Sequence, residues 1–376
     1  MKPLRLFVSA GEASGDLHGA RLVEEILRRH PTAQVDAMGG ARLRAAGANI
    51  LVDYRDLALI GVVQIAPKAR TIYRAWRRLR AHLEAHKPDL VVLIDFPDFN
   101  FLLGRAARAL GLKVFYYISP QVWAWRSGRV RSLKRFTDAM AVILPFEEAF
   151  YRQRGMTVRF VGHPLVDEVR AVEDRAVCRR LLSLGAEPVV CLLPGSRQGE
   201  VRTFLPILLH AAARIQQACP SVEMLLALAP GLDPQEIAPL IRAASVPLRC
   251  LRGDTYRAIR AADAAVAVSG TVTLESALLG TPLVVVYKVS PVEYHLGRRL
   301  IRVPHIALPN VILGRRVCPE LIQHEARPER IAQKVLDLIR NPERAAEQRR
   351  WFERLGRMLG EPGAAGRAAT MALDLC

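Results

Sequence analysis

The sequence predicts an α/β protein made of two Rossmann-like halves, each a parallel sheet wrapped by helices. Three observations carry that expectation. Short apolar runs rich in β-branched residues recur along the whole chain, as strands buried on both faces do. Segments with helical periodicity separate them, and the 376 residues are enough for two cores. The expected boundaries are 1–168, 169–345, and a C-terminal segment 346–376.

In the first half, residues 4–9 read as a strand, and Leu17, Ala20, Val23 and Leu27 share one face of the helix that follows. The loop between them, Gly11-Glu12-Ala13-Ser14-Gly15-Asp16, lacks the G-x-G-x-x-G of a dinucleotide site. Its two carboxylates would repel a pyrophosphate, which suits it to sugar hydroxyls; glycines serving a tight turn explain it equally well. Residues 57–83 hold an apolar loop and then a helix with Pro67 in its first turn. Ile72, Trp76, Leu79 and Leu83 lie on one face, and Arg70, Arg74, Arg77, Arg78 and Arg80 fill much of the rest. Such a helix either lies on an anionic bilayer or packs on the core with a solvated arginine face.

Residues 89–94 form a strand whose carboxyl end carries Asp95-Phe96-Pro97-Asp98-Phe99-Asn100. Asp95, next to the apolar run, is the candidate general base. Asp98 and Asn100 either face a substrate or cap the next helix, and a metal pair is the weakest reading because no third ligand is near. A further strand, 114–118, runs into Ser119-Pro120-Gln121-Val122-Trp123-Ala124-Trp125-Arg126, whose tryptophans either line a pocket or are buried. Residues 140–144 continue the sheet, and 160–164, with His163, close the half.

The second half repeats the alternation, with strands at 188–193, 222–228, 248–251, 264–268 and 283–286, and helices at 205–218, 256–262 and 329–359, the last broken near Asn341-Pro342. Pro194-Gly195-Ser196-Arg197 lets backbone approach a phosphate and adds a forked, permanently charged donor, although it is not a P-loop. Ser269-Gly270-Thr271 begins a helix whose free amides and dipole face anions. With Thr271 as cap, Glu275 falls one residue late for a capping box. It either accepts the two hydroxyls of a ribose or complements the helix dipole.

The formal charge of +18 favours anionic partners, yet only seven of the 54 cations are lysine, so arginine abundance is weak support for nucleic acid. Six cysteines show neither C-x-x-C nor histidine spacing, as expected in a reducing cytoplasm without a zinc or disulfide framework. The first residues have too short an apolar core for a signal peptide. No run reaches the roughly 18 apolar residues of a membrane span.

Five separated strings, AGEASGD, IDFPDFN, SPQVWAWR, LLPGSR and SGTVTLE with GTPLVVVY, resemble the lipid-A-disaccharide synthase family of glycosyltransferases. The resemblance implies the GT-B arrangement, two Rossmann-like domains facing a cleft, with an acceptor-binding, membrane-facing first domain, a UDP-sugar-binding second one, and a tail 346–376 whose helices cross back to the first domain. It implies inverting transfer of 2,3-diacylglucosamine from its UDP derivative to the 6-hydroxyl of 2,3-diacylglucosamine 1-phosphate, in lipid A biosynthesis. Asp95 is then the catalytic residue. Gly195, Ser196, Arg197, Ser269, Gly270, Thr271, Thr273, Glu275 and Asn310 are the donor contacts, and Glu12, Ser14, Asp16, Asp98 and Asn100 the acceptor-side candidates. No cofactor, metal or nucleic acid is expected; the place is the cytoplasmic face of the inner membrane, with a homodimer among the assemblies allowed. Two rivals stay open: a UDP-GlcNAc transferase acting on another lipid-linked acceptor, and a basic peripheral protein without catalysis.

Overall fold

The computed structural model describes residues 3–57, 65–125, 127–290, 294 and 303–376. The chain divides into two compact units, one of residues 1–164 with 359–376, the other of residues 165–358.

The first unit holds seven strands, β1 (Arg5–Ala10), β2 (Gln34–Gly39), β3 (Asn49–Asp53), β4 (Leu90–Ile94), β5 (Val114–Tyr117), β6 (Ala139–Val142) and β7 (Arg159–Phe160). They lie in the order β3-β2-β1-β4-β5-β6-β7, and every neighbouring pair is parallel. Alternate residues of β1 feed two cores: Leu6, Val8 and Ala10 on one face, Phe7 on the other. The chain runs outward from β1 to β3, then returns beside β1 as β4, so the order reverses between β1 and β4. Crevices at the carboxyl ends of strands flanking such a reversal bind ligands in open α/β sheets.

The second unit repeats the plan with β8 (Val189–Leu193), β9 (Glu223–Leu228), β10 (Arg249–Arg252), β11 (Ala264–Val268), β12 (Leu283–Tyr287) and β13 (Glu320–Ile322). Their order is β10-β9-β8-β11-β12-β13, again all parallel, with the reversal between β8 and β11.

One helix departs from expectation. The helix expected to start at 205 spans Gln198–Ala218, with Pro206 inside it, because Glu200 secures its amino end: the carboxylate accepts from the Arg197 amide at 3.3 Å. The C-terminal helical segment breaks at Asn341, as expected, into Pro328–Arg340 and Pro342–Met358. The second packs on the helices Thr271–Leu278 and Leu308–Leu313, so the return to the first unit begins at Leu359 rather than at 346.

The basic helix spans Ile65–His86. Leu79 and Leu83 are fully buried and Ile72 and Trp76 partly so, in the first unit's core. Its apolar face is therefore taken by the core, and the arginines at 70, 74, 77, 78 and 80 are exposed, with Tyr73 57% exposed beside them. The apolar loop expected before it, residues 58–64, lies outside the described residues.

The final helix, Ala364–Leu373, packs on Ala13–Arg29 through Ala368, Ala369 and Ala372. Arg367 binds it to the sheet's edge by donating to the carbonyls of Val161, Glu361 and Pro362. Arg367→Ala should destabilise the protein by about 1 to 2 kcal/mol, since two of those three bonds are exposed and are worth less than buried ones; urea unfolding measures it, and an unchanged midpoint would show the tie to be dispensable.

Candidate functional site

In the first unit, the reversal between β1 and β4 brings two of the singled-out strings side by side, Gly11–Asp16 after β1 and Asp95–Asn100 after β4. Asp95 and Phe96 both have left-handed backbones, with φ of 41° and 45°. Non-glycine residues adopt that region only when their surroundings impose it. Here Asn100 imposes it: its Nδ2 donates to the carbonyls of Ile94 (3.1 Å) and Asp95 (2.8 Å), while its Oδ1 accepts from the Ser9 hydroxyl at 2.6 Å. Tyr116 adds a bond from its hydroxyl to the Asp95 carbonyl at 2.7 Å. The turn throws the Phe96 ring onto Gly11, where a Cβ would sit 2.0 Å from it, so the first loop needs glycine there for close approach.

Asp95 is half-buried, and its carboxyl is pushed up to about 7, first by burial and then by the charge of Glu12, against a lowering bond from the Phe96 amide. Glu12 and Ser14 are exposed at the start of the first helix.

Other acceptor-side candidates are occupied elsewhere. Asp16 is buried and accepts from the amides of Gly40 (2.6 Å), Arg42 and Leu43, closing the start of the helix Ala41–Ala45. Asn100 is fully buried, and its amide is taken up by the turn, so it positions Asp95 and offers nothing to a substrate. Asp98 is exposed and pairs with Arg129 at 2.8 Å; the cap position of the Pro97–Ala109 helix is Phe96, without a side-chain cap bond. Trp123 is buried, its indole N–H donating to Glu147. Glu147, pushed up to about 7 by burial, also accepts from Ser119 and from the amides of Ile143 and Leu144, which makes it a structural tie. Trp125 and Arg126 of the same string lie outside what the structure describes at side-chain level. His163 is buried and its pKa is lowered to about 3, by burial and by His18, so it is a neutral structural group.

In the second unit, a cavity of about 380 Å³ lies at the reversal between β8 and β11. Gly195, Ser196, Arg197 and Glu200 line it from the loop after β8 and the helix that follows, Ser269, Gly270, Thr271, Val272 and Glu275 from the loop after β11 and its helix, and Thr255 and Tyr256 from the helix after β10. Arg197 is 74% exposed and 3.2 Å from Glu200. Glu200 also accepts from the Ser196 and Arg197 amides, so the donors expected to meet a phosphate are held by a carboxylate of the chain itself. Gly195, at φ 109°, admits Glu200 this closely; a Cβ would lie 2.6 Å from its Oε2.

Gly270, not Thr271, is the cap of the helix Thr271–Leu278, which places Glu275 in the second turn. It complements no terminal amide. Burial pushes its carboxyl up to about 7, with Glu168 adding to the rise and a bond with Tyr256 opposing it. Two donor-side candidates are structural. Thr273 is buried and donates back to the Gly270 carbonyl at 2.7 Å. Asn310 is fully buried and binds Cys318 and Glu320 through Nδ2 and the amides of Val317 and Cys318 through Oδ1, which fixes the 306–320 segment. The Ser269 hydroxyl donates to the Ile306 carbonyl.

Sequence reasoning missed Glu200, Tyr256, Glu168 and Tyr116. Glu200 had a visible signal, a glutamate three residues after the last loop residue; the other three had none. A second cavity, about 430 Å³, opens near Arg315, Lys334 and Trp351, but none of the string residues lines it, and its Arg344 pairs with Asp337 while Arg315 lies 4.0 Å over Trp351.

Residues 6–372 match the protein family described as Lipid-A-disaccharide synthetase. The chain is 50% identical over 372 residues to the lipid-A-disaccharide synthase of Syntrophus aciditrophicus, covering 98% of this chain and 97% of that one. Among solved structures it is similar to the glycotransferase of kitacinnamycin (TM-score 0.66, 16% identity, all of both chains). It is also similar to UDP-GlcNAc 2-epimerase of Neisseria meningitidis bound to UDP-GlcNAc (TM-score 0.65, 13% identity, 99% of both). Those two likenesses show the GT-B-type fold alone.

Since a neighbouring negative charge raises a carboxyl pKa, Glu12→Gln should lower the titration of Asp95 from about 7 while burial keeps it above the ordinary carboxylate value. Carbon NMR of labelled aspartate across pH 4 to 9 would read it; an unmoved midpoint would leave burial as the whole cause.

Proposed function

The chain belongs to the lipid-A-disaccharide synthetase family, and from that premise we propose that it moves 2,3-diacylglucosamine from UDP to the 6-hydroxyl of 2,3-diacylglucosamine 1-phosphate. It is a glycosyltransferase of lipid A disaccharide synthesis; the acyl substrates, the inversion and the residue roles are the proposal. The observation that carries it is Asp95: a carboxyl with a pKa of about 7, on a backbone that Asn100 and Tyr116 hold in a left-handed turn.

A general base serves best when its pKa lies near the working pH. The Asp95 carboxylate takes the proton of the 6-hydroxyl as that oxygen bonds to the anomeric carbon. The bond from that carbon to the diphosphate oxygen breaks, and its electron pair leaves with UDP. Charge growing on the departing diphosphate is met by Arg197 and by the amides at the start of Thr271–Leu278. Arg197 also pairs with Glu200 at 3.2 Å, so the diphosphate competes with that carboxylate for it. Glu275 receives the ribose hydroxyls. The diacylated substrates reside in a bilayer, and the exposed arginine face of Ile65–His86, with Tyr73, suits an anionic membrane surface. No helix among the described residues is long and apolar enough to cross a membrane.

Mass spectrometry of products from both substrates, with chelator present, tests the reaction: disaccharide 1-phosphate and UDP are expected. Product only after Mg²⁺ is added would overturn the metal-free mechanism, and product only from unacylated UDP-GlcNAc would favour a transferase for another lipid-linked acceptor. Asp95→Ala should lower turnover by about 10² to 10⁴ and leave UDP affinity intact. In the wild type, kcat/KM should rise with pH through about 7, as Asp95 loses its proton; equal turnover by the variant would remove Asp95 from the mechanism. Arg197→Ala should weaken UDP binding by about 1.5 to 3 kcal/mol, the worth of a charge-assisted bond, which calorimetry would detect as a raised Kd.

A further inference from the structure

Tyr256 belongs to the same cavity wall as Glu275, yet its hydroxyl donates elsewhere, to Glu168 Oε2 at 3.0 Å. It also stands within hydrogen-bonding reach of Glu275. A phenol has one proton to give. Two carboxylates that converge on one such donor, partly shielded from water, cannot both be ionised and both be satisfied.

We propose that Glu168 and Tyr256 are positioning residues for Glu275: Glu168 claims the Tyr256 proton and repels a second charge, so that Glu275 keeps its own proton and releases it when the cis-diol of a ribonucleotide binds. This deepens the reading given above, since it takes Glu275 as the ribose contact. With the phenol proton given to Glu168, Glu275 is left short of that donor beside a second carboxylate, and it keeps its own proton. Ribose hydroxyls are donors, and two of them replace that arrangement best when both Glu275 oxygens are free to accept. Binding then displaces one proton to solvent. The raised titration of Glu275, to about 7 with Glu168 among its causes, places this release in the neutral range.

The charges around Glu275 come from few elements. Leu165–Arg170 contributes Glu168, with Asp167 exposed. Thr255–Ala261 contributes Tyr256, while its Arg257 pairs with Glu173 and Asp254 and its Arg260 binds the Leu279 carbonyl. Arg197 and Glu200 enter from the loop after β8 and hold each other. The helix Leu308–Leu313 has no ionisable side chain, and Arg349 of Pro342–Met358 faces Arg175 and Asp263.

UDP binding measured by calorimetry from pH 6 to 8, in two buffers of different ionisation enthalpy, tests the coupling. The wild type should bind more tightly as pH rises, by up to tenfold per unit below pH 7, and should release about three-quarters of a proton at pH 6.5. Glu168→Gln removes the competing charge while burial still raises Glu275, so its affinity profile should shift to lower pH and exceed the wild type at pH 6. Tyr256→Phe removes the shared donor and should displace the wild-type profile to higher pH; a merely structural role would lower affinity equally at every pH. A Glu168→Gln profile identical to the wild type would overturn the coupling while leaving Glu275 as a ribose contact. Failure of the wild type to bind UDP at any pH would overturn the nucleotide reading and the coupling with it.

Discussion

The pairing of β4 against β1, and of β11 against β8, is the constraint from which the two candidate sites follow. Each strand of a pair ends at the same edge of its sheet. Because the chain leaves to opposite sides after them, their loops diverge and open a crevice instead of packing on each other. In this way strings about eighty residues apart, which share no local signal, become neighbours. Burial of the strands is nearly complete: all five residues of β4, β8 and β11 are buried, so the apolar runs fix the register and the polar loop begins where each run stops.

The architecture was therefore legible in the sequence, because alternating buried strands and amphipathic helices are written as periodicity. The string positions were legible too, since Asp95, Arg197 and Glu275 each stand at or just beyond a strand's carboxyl end. What the sequence did not reveal is which polar residues the backbone itself would use. Asp16, Asn100, Thr273 and Asn310 look like ligand groups by residue type and place, yet each is buried and hydrogen-bonded to the chain itself, mostly to amides and carbonyls. A residue's type states how many bonds it can make, and only the fold states to whom. The amino end of the Gln198–Ala218 helix teaches the same lesson, because the Ser196 and Arg197 amides donate to Glu200 of the chain itself.

Three carboxylates, Asp95, Glu147 and Glu275, are raised to about 7, and burial leads in each case. Their surroundings nevertheless separate them. Glu147 has four donors and bridges the Ser119–Trp123 segment to the end of β6; nothing remains for it to do. Asp95 has one backbone donor and a repelling neighbour, and Glu275 has a shared phenol and a repelling neighbour. A raised acid that is saturated with donors is architecture, whereas one left short of them has capacity for a partner that arrives later.

The first unit is assembled from both ends of the chain, since Ala364–Leu373 rests on Ala13–Arg29 and supplies three buried alanines to its core. During synthesis those alanines leave the ribosome only after the whole of residues 165–358 has been made. The second unit, continuous in sequence, can fold as it emerges. The first must wait with an apolar stripe of its opening helix uncovered, and it is there that a chaperone would find its target in the nascent protein.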